Sequence, residues 1–173
     1  MNVLPARLSD DLELQLKTIN SRVIEIFNIQ NGVTHLELYI TQNGIYFGEL
    51  AVRPPGGHIF KLLEWVYSFD PWEFFLRLEL KDTLNVGLLK AQGFAGAWVI
   101  HPGSGYLNKI IGRSEVENIP ELKKLRLKIK PPLEITPRVG SGMEIGHALF
   151  WGDTYQQVVN AMEKAKDQLK FIF

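Results

Sequence analysis

The 173-residue chain contains no cysteine. That excludes a disulfide framework and a thiolate metal site, and it permits a reducing compartment. An excess of one charge is missing too: 19 Lys and Arg balance 19 Asp and Glu, so there is no basic footprint of the kind that binds nucleic acid. No apolar run reaches the length of a membrane span, and the opening MNVLPAR lacks the pattern of a signal peptide. These absences lead us to expect a cytoplasmic protein with neither a membrane nor a nucleic acid as partner. Internal repeats and low-complexity linkers are also absent. A chain of this length can build one sizeable core or two small ones.

What is present concentrates between Gly32 and Ile59. Two stretches of period-two alternation, Thr34 to Ile40 and Ile45 to Arg53, flank Asn43-Gly44, which predicts a β-hairpin over 33–53. Thr34, Leu36, Leu38 and Ile40 fall on one face of the first strand; His35, Glu37 and Tyr39 fall on the other. On the second strand Ile45, Phe47, Glu49, Ala51 and Arg53 alternate with Tyr46, Gly48, Leu50 and Val52. Register decides what these faces mean. A two-residue loop at Asn43-Gly44 pairs Gln42 with Ile45 and sends Glu37 and Glu49 to opposite faces. A three-residue loop, with Gly44 supplying the positive φ, pairs Thr41 with Ile45 and sets Leu38 opposite Gly48 and Glu37 opposite Glu49. The second register gathers the polar residues on one face and leaves Leu36, Leu38, Leu50 and Val52 for the core, so it is the one we expect.

Two carboxylates opposed across a ladder repel one another. Three arrangements relieve this. Both can point into water; they can share a proton; or a divalent cation can lie between them, with Arg53 placed for an anion beside it. Hard oxygen ligands of this kind suit Mg²⁺, which is held by one or two carboxylates plus substrate phosphates.

The remaining chain reads as support. After the short apolar strand of residues 1–7, Ser9 is a candidate N-cap, and Leu12, Leu16, Ile19, Val23 and Ile26 give an amphipathic helix over about 9–28 that stops at Asn31-Gly32. Pro54 and Pro55 end the second hairpin strand. Gly56-Gly57 permits close backbone approach, to an anion at a helix start or simply in a tight turn. His58 reads as a surface or capping histidine and, at most, as a substrate neighbour. A helix over 59–67 points Leu62, Leu63 and Val66 inward. Asp70 caps the next helix with Pro71 at its first position, and Trp72, Phe75, Leu76 and Leu80 form its apolar stripe, which we expect in the core. A further helix over 82–89 is weakened by Gly87. Beyond Gly93 the texture turns to short strands: 94–100, 106–111, 125–129 with a basic face of Arg126, Lys128 and Lys130, and 145–151. A closing helix starts from a capping-box-like Asp153 and Gln156, with Tyr155, Val158, Val159, Met162 and Ala165 inward. Gly103-Ser104-Gly105 lacks the lysine and the strand–loop–helix setting of a phosphate loop, and reads as a turn.

The hairpin resembles the metal-binding end of the ATP-grasp superfamily, the fold of biotin carboxylase, D-alanine–D-alanine ligase and many carboxylate–amine ligases. That family carries a glutamate on one strand and, about a dozen residues on, the pattern Glu-x-Asn-x-Arg on the next. Glu37 and Glu49 match the glutamates and Arg53 the arginine. Ala51 stands where asparagine is frequent, so one metal ligand is missing. Arg53-Pro54-Pro55-Gly56-Gly57-His58 matches the Pro- and Gly-rich continuation of some members. The resemblance extends over the whole chain.

It implies an α+β fold: the C-terminal half of an ATP-grasp core, an antiparallel sheet with helices, over 1–92, then a small β-rich C-terminal domain over 93–173. It implies ATP as substrate, Mg²⁺ or Mn²⁺ on Glu37 and Glu49, a catalytic role for Arg53, and substrate contacts from Gly56, Gly57 and His58. The reaction implied is activation of a carboxylate as an acyl phosphate, followed by attack of an amine. The phosphate-covering loop, lysines and adenine slot of the family have no counterpart before Glu37. The expectation is therefore the C-terminal portion of a longer ligase, or a split subunit, partnered by the missing N-terminal half, with a homodimer left open. Alternatives are a non-catalytic interaction module that keeps the half-fold, favoured by Ala51, and a free-standing carboxylate metal binder.

Overall fold

The structure, a computed structural model, describes residues 1–173 except 83–86, 88 and 141. Its centre is an antiparallel sheet of four strands: β1 (Asn2–Leu4), β4 (Phe94–Ile100), β9 (Gly146–Gly152) and β7 (Leu122–Leu127), in the order β1-β4-β9-β7. Strand β9 is almost wholly buried, and its alternation serves two sides. Ala148 and Phe150 face α5 (Tyr155–Gln168), meeting Val158, Ala161, Met162 and Ala165 in the larger core cluster. Leu149 faces the other way, with Ala95 and Ala97 of β4 against Leu62 and Val66 of α2 (Ile59–Tyr67). Each fully buried Val, Leu or Phe on these faces contributes about 1.5–3 kcal/mol. The layers are thus helix, sheet, helix, and α2 is locked to the sheet at the level where its N-terminus emerges beside β9.

Strand β1 belongs to the first segment yet pairs with β4, Val3 opposite Gly96. The division expected at 92/93 is therefore bridged by strand pairing. Around the central sheet lie two small ladders, β5 (Gly105–Leu107) with β8 (Leu133–Ile135) and β6 (Lys109–Ile111) with β10 (Lys170–Ile172). The short helix α4 (Arg113–Glu117), β8 and β10 had no counterpart in the sequence reading.

The remaining elements are α1 (Asp10–Ile26), the hairpin β2 (His35–Thr41) and β3 (Gly44–Ala51), and α3 (Pro71–Glu79). Ser9 Oγ accepts from Leu12 N–H and Asp70 accepts from Trp72 and Glu73 N–H, the caps expected from sequence. The α5 cap sits one residue later than expected. Thr154, not Asp153, is the N-cap, in a full capping box with Gln157, because a hydroxyl held three residues before Gln157 exchanges both bonds with it. The stripe on α3 is a second correction. Trp72, Leu76 and Leu80 are exposed, and α3 packs on α2 rather than into a closed core. Helix α1 likewise buries no residue fully; Leu16 meets Leu36, Leu38 and Ile40 across a shallow groove. The helix expected over 82–89 falls mainly on residues outside the described ones.

Gly146 fixes how closely β9 approaches β7. A Cβ there would collide with the Arg126 carbonyl oxygen and lie 3.1 Å from Leu127 Cα. Both obstacles are backbone, so no rotamer relieves them. Gly146→Ala is expected to destabilise the fold by about 1–3 kcal/mol. Urea unfolding would register this as a lower midpoint at unchanged slope; an unaltered midpoint would mean that the strands separate freely here.

Candidate functional site

The hairpin reaches the expected pairing of Glu37 with Glu49 by an unexpected route. Near the turn the loop has two residues, Gln42 and Asn43, and Thr41 opposes Gly44, Ile40 opposes Ile45, and Leu38 opposes Phe47. The turn is closed by a side chain: Thr41 Oγ1 donates to Gly44 O and accepts from Asn43 N–H, both at 3.1 Å. Between Glu37 and Leu38 the register then slips, leaving Gly48 as the extra residue of a β-bulge. A Cβ on Gly48 would lie 2.7 Å from the Tyr39 ring and 2.9 Å from Glu37 O, so the bulge takes glycine. Beyond it Glu37 opposes Glu49, Leu36 opposes Leu50 and His35 opposes Ala51. Directly opposed residues share a face. One face therefore carries His35, Glu37, Tyr39, Tyr46 and Glu49, and the other Leu36, Leu38, Ile40, Ile45, Phe47 and Leu50. The expectation that Ile45 and Phe47 accompany Glu49, and that Leu38 opposes Gly48, is corrected by the bulge.

Glu37 and Glu49 are both exposed, and His35 Nε2 lies 3.9 Å from Glu37 Oε1. Two opposed, solvated carboxylates fit the sparse protein ligation of Mg²⁺, which keeps several waters. No cluster of three or more His, Asp or Glu able to hold a metal occurs among the described residues.

The other expected residues meet elsewhere. Arg53, Gly56, Gly57 and His58 line one cleft of about 950 Å³, with Asn2, Phe60, Lys61, Trp72, Ala97, Val99, His101, Arg138 and Glu144. Glu37 and Glu49 do not line it. Arg53 Nη1 donates to Pro54 O at 3.0 Å, leaving most of its guanidinium fork open. Gly57 and His58 both take left-handed backbone (φ 61° and 65°), turning the chain sharply from the strand end into α2. His58 occupies the N-cap of α2 without capping it through its side chain. Trp72, exposed on α3, packs edge-on against Phe60 with ring centroids 4.8 Å apart and forms part of the cleft wall.

Behind His58 lies a residue that the sequence reading missed. The His147 ring lies against that of His58, tilted by 44° with centroids 3.9 Å apart. It is 3 % exposed, and neither ring nitrogen has a hydrogen-bond partner. His147 opposes Arg126 of β7 and so shares its face with the basic side of that strand. Burial, then the neighbouring His58, Lys124, Lys128 and Arg126, lower its pKa to about 4. Burial lowers the pKa of His58 as well; Glu144 opposes this and Lys124 and Lys128 reinforce it. His101, whose Nε2 is buried without a partner, is lowered by burial and by Arg138. Lys128 Nζ donates to Glu144 Oε1, and that bond holds the Glu144 carboxyl below its ordinary range. The corner thus keeps three imidazoles neutral among fixed cations. A signal existed in the sequence: His147 is the one polar residue inside the apolar run Gly146 to Gly152.

Comparison with known proteins bears on the same segments. Residues 97–173 match the family described as L-amino acid ligase C-terminal domain 2. An L-arginine-specific L-amino acid ligase of Bacillus subtilis is 21% identical over 159 residues, covering 91% of this chain and 38% of that protein. The crystal structure of an L-amino acid ligase from Bacillus licheniformis superposes with a TM-score of 0.85 at 21% identity, over 99% of this chain and 43% of that one. N5-carboxyaminoimidazole ribonucleotide synthetase from Thermotoga maritima gives a TM-score of 0.73 at 23% identity, over 98% and 45%. A biotin carboxylase domain from Hydrogenobacter thermophilus, solved with MgADP and bicarbonate, gives 0.65 at 14% identity, over 98% and 38%. The chain spans less than half the length of each of these relatives.

A His147 held neutral in the fold and free to protonate when unfolded makes stability depend on pH. The unfolded chain binds more protons between the ordinary value of 6.5 and about 4, so this contribution is complete above that window and is lost as pH falls through it, by about 3 kcal/mol at pH 4. His147→Phe, which keeps a flat ring, should flatten that slope relative to wild type. Parallel slopes in thermal melts of the two proteins between pH 7 and 4 would refute the assignment.

Proposed function

We propose, for a chain that carries the C-terminal portion of the ATP-grasp ligase fold, that it completes the active site of an ATP-dependent carboxylate–amine ligase working through an acyl phosphate. The observation that carries this reading is the cleft in which Arg53, Gly56, Gly57 and His58 meet. It lies one turn of chain beyond the hairpin whose bulge sets Glu37 against Glu49. The similarity of residues 97–173 to L-amino acid ligases and the MgADP complex of a structural neighbour support it.

Glu37 and Glu49 are assigned to hold Mg²⁺, which when bound neutralises nucleotide phosphate oxygens. Arg53 offers a guanidinium fork to the charge developing on the transferred phosphoryl group or the acyl oxygen, a charge-assisted contact that strengthens as that charge grows. Gly56 and Gly57 present backbone without side chains, so a substrate carboxylate can approach closely. The work is positioning and neutralisation, with little covalent chemistry for the protein itself. In this reading residues 1–92 supply the nucleotide-side contacts and residues 93–173 wall the cleft. The partner is an N-terminal half carrying the adenine slot and phosphate-covering loop. Exposed Trp72, Leu76 and Leu80 along α3 offer apolar surface suited to contact with that half. Cytoplasmic residence belongs to the same proposal; no helix among the described residues is long and apolar enough to cross a membrane.

Ala51, opposite His35, favours a second reading, a non-catalytic module or split subunit that retains the half-fold for protein contacts. The two separate in the ligase assembled from this chain and its N-terminal half. Glu49→Gln should abolish amine-dependent ADP release, a loss of at least about 10³-fold, while leaving the melting temperature within a few degrees of wild type. Near-wild-type turnover in that variant would remove the metal assignment, and a wild-type assembly without ADP release would favour the module.

A further inference from the structure

The geometry points to His58 as the group that takes a proton from the amine substrate, with His147 as the positioning residue that holds its ring. This deepens the ligase reading and rests on it. Of the three protons on an ammonium nitrogen, one remains on the amide, one leaves with the phosphate as HPO₄²⁻, and one needs a base. The nitrogen lone pair forms the C–N bond to the acyl carbon, and the C–O bond to phosphate breaks with its electron pair on the phosphate oxygen. The proton that needs a base leaves the ammonium first: an unprotonated imidazole nitrogen of His58 accepts it, and this frees the lone pair that forms the C–N bond.

The cleft's other titratable side chains are engaged or unsuited. Arg53 and Arg138 do not deprotonate. Lys61 Nζ is paired with Glu64 at 2.6 Å. Glu144 is tied to Lys128. His101 has its Nε2 buried within the protein. His58 follows the Gly56-Gly57 backbone directly and lines the same cleft as Arg53. It is held in left-handed backbone (φ 65°, ψ 15°) and leaves its side chain free of capping, a conformation that is costly for a non-glycine residue and is retained where it aims a side chain.

The ring needs a fixed direction and an unprotonated state, and its surroundings supply both. His147 backs it at 3.9 Å from β9. The charged groups bearing on the pair are Lys124 and Arg126 from β7, Lys128 just after it, and Glu144 from the segment before β9; Lys61 on α2, His101 after β4 and Arg138 line the same cleft. Burial disfavours the protonated His58 ring; Glu144 opposes this, and Lys124 and Lys128 reinforce it, as does the positive end of α2. The unprotonated ring is the state a base must occupy.

The test compares two nucleophiles in the ligase assembled from this chain and its N-terminal half. Hydroxylamine, largely unprotonated near pH 7, needs no base; an alkylammonium substrate does. His58→Gln should reduce amide formation by about 100-fold or more while hydroxamate formation falls less than about tenfold. The remaining amide activity should rise with added imidazole. His147→Ala should lower kcat for the amine with little change in its KM, and His147→Phe should restore it. Equal loss of both products in His58→Gln would overturn the proposal, as would failure of His147→Phe to rescue. A wild-type assembly that forms neither product would remove the ligase reading and this inference with it. In the chain alone, NMR titration of the His58 ring should show it deprotonating below the ordinary histidine range; a midpoint at or above that range would also overturn the assignment.

Discussion

The cleft at Gly56, Gly57 and His58 depends on a strand buried on both faces. β9 alternates its side chains between α5 and α2, and because both sides are filled the strand can neither slide nor rotate without emptying one of them. That places His147 on the α2 side, directly behind the turn that begins α2. Gly56, Gly57 and His58 are therefore presented by a turn braced from beneath, unlike a free surface loop. The basic side of β7 is tied in by the same pairing, since Arg126 opposes His147. What looked in sequence like a solvated basic face supplies part of the field that keeps the imidazoles neutral.

The hairpin shows how a correct pairing was legible for an incomplete reason. Period-two alternation and a Gly44 able to take positive φ identified the strands and the opposition of Glu37 to Glu49. The pattern did not reveal where the extra residue lies. In the structure Thr41 closes a two-residue loop with its own hydroxyl, and the surplus is absorbed at Gly48, under the Tyr39 ring. The residue count is the same in both arrangements, so sequence arithmetic alone does not separate them. A cross-strand aromatic contact decides, and such contacts are a property of the paired strands and not of either one.

The misread elements share a cause. The stripe of Trp72, Leu76 and Leu80 was assigned to the core because apolar residues at helical spacing imply a buried face. The spacing was right and the burial was not, because α3 packs on α2 and leaves Trp72, Leu76 and Leu80 exposed. The shift of the α5 cap from Asp153 to Thr154 is smaller in kind: both residues stand three before a glutamine, and it is Thr154 that exchanges both bonds with Gln157. His147 escaped notice because a histidine in an apolar run reads as a core residue, and its meaning arises only from His58, far away in sequence and in contact in space.

The hairpin that bears the two acids is a ribbon of only two strands, both of whose outer edges are unpaired among the described residues. Ribbons of that width are marginal in water by themselves, and two like charges facing one another at the bulge weaken this one further. A cation seated between them would remove the repulsion and clamp the slipped register at the same stroke. Ligand capture and local ordering then draw on a single free energy, so the ribbon would behave less as a ready-made socket than as a clasp that closes upon what it holds.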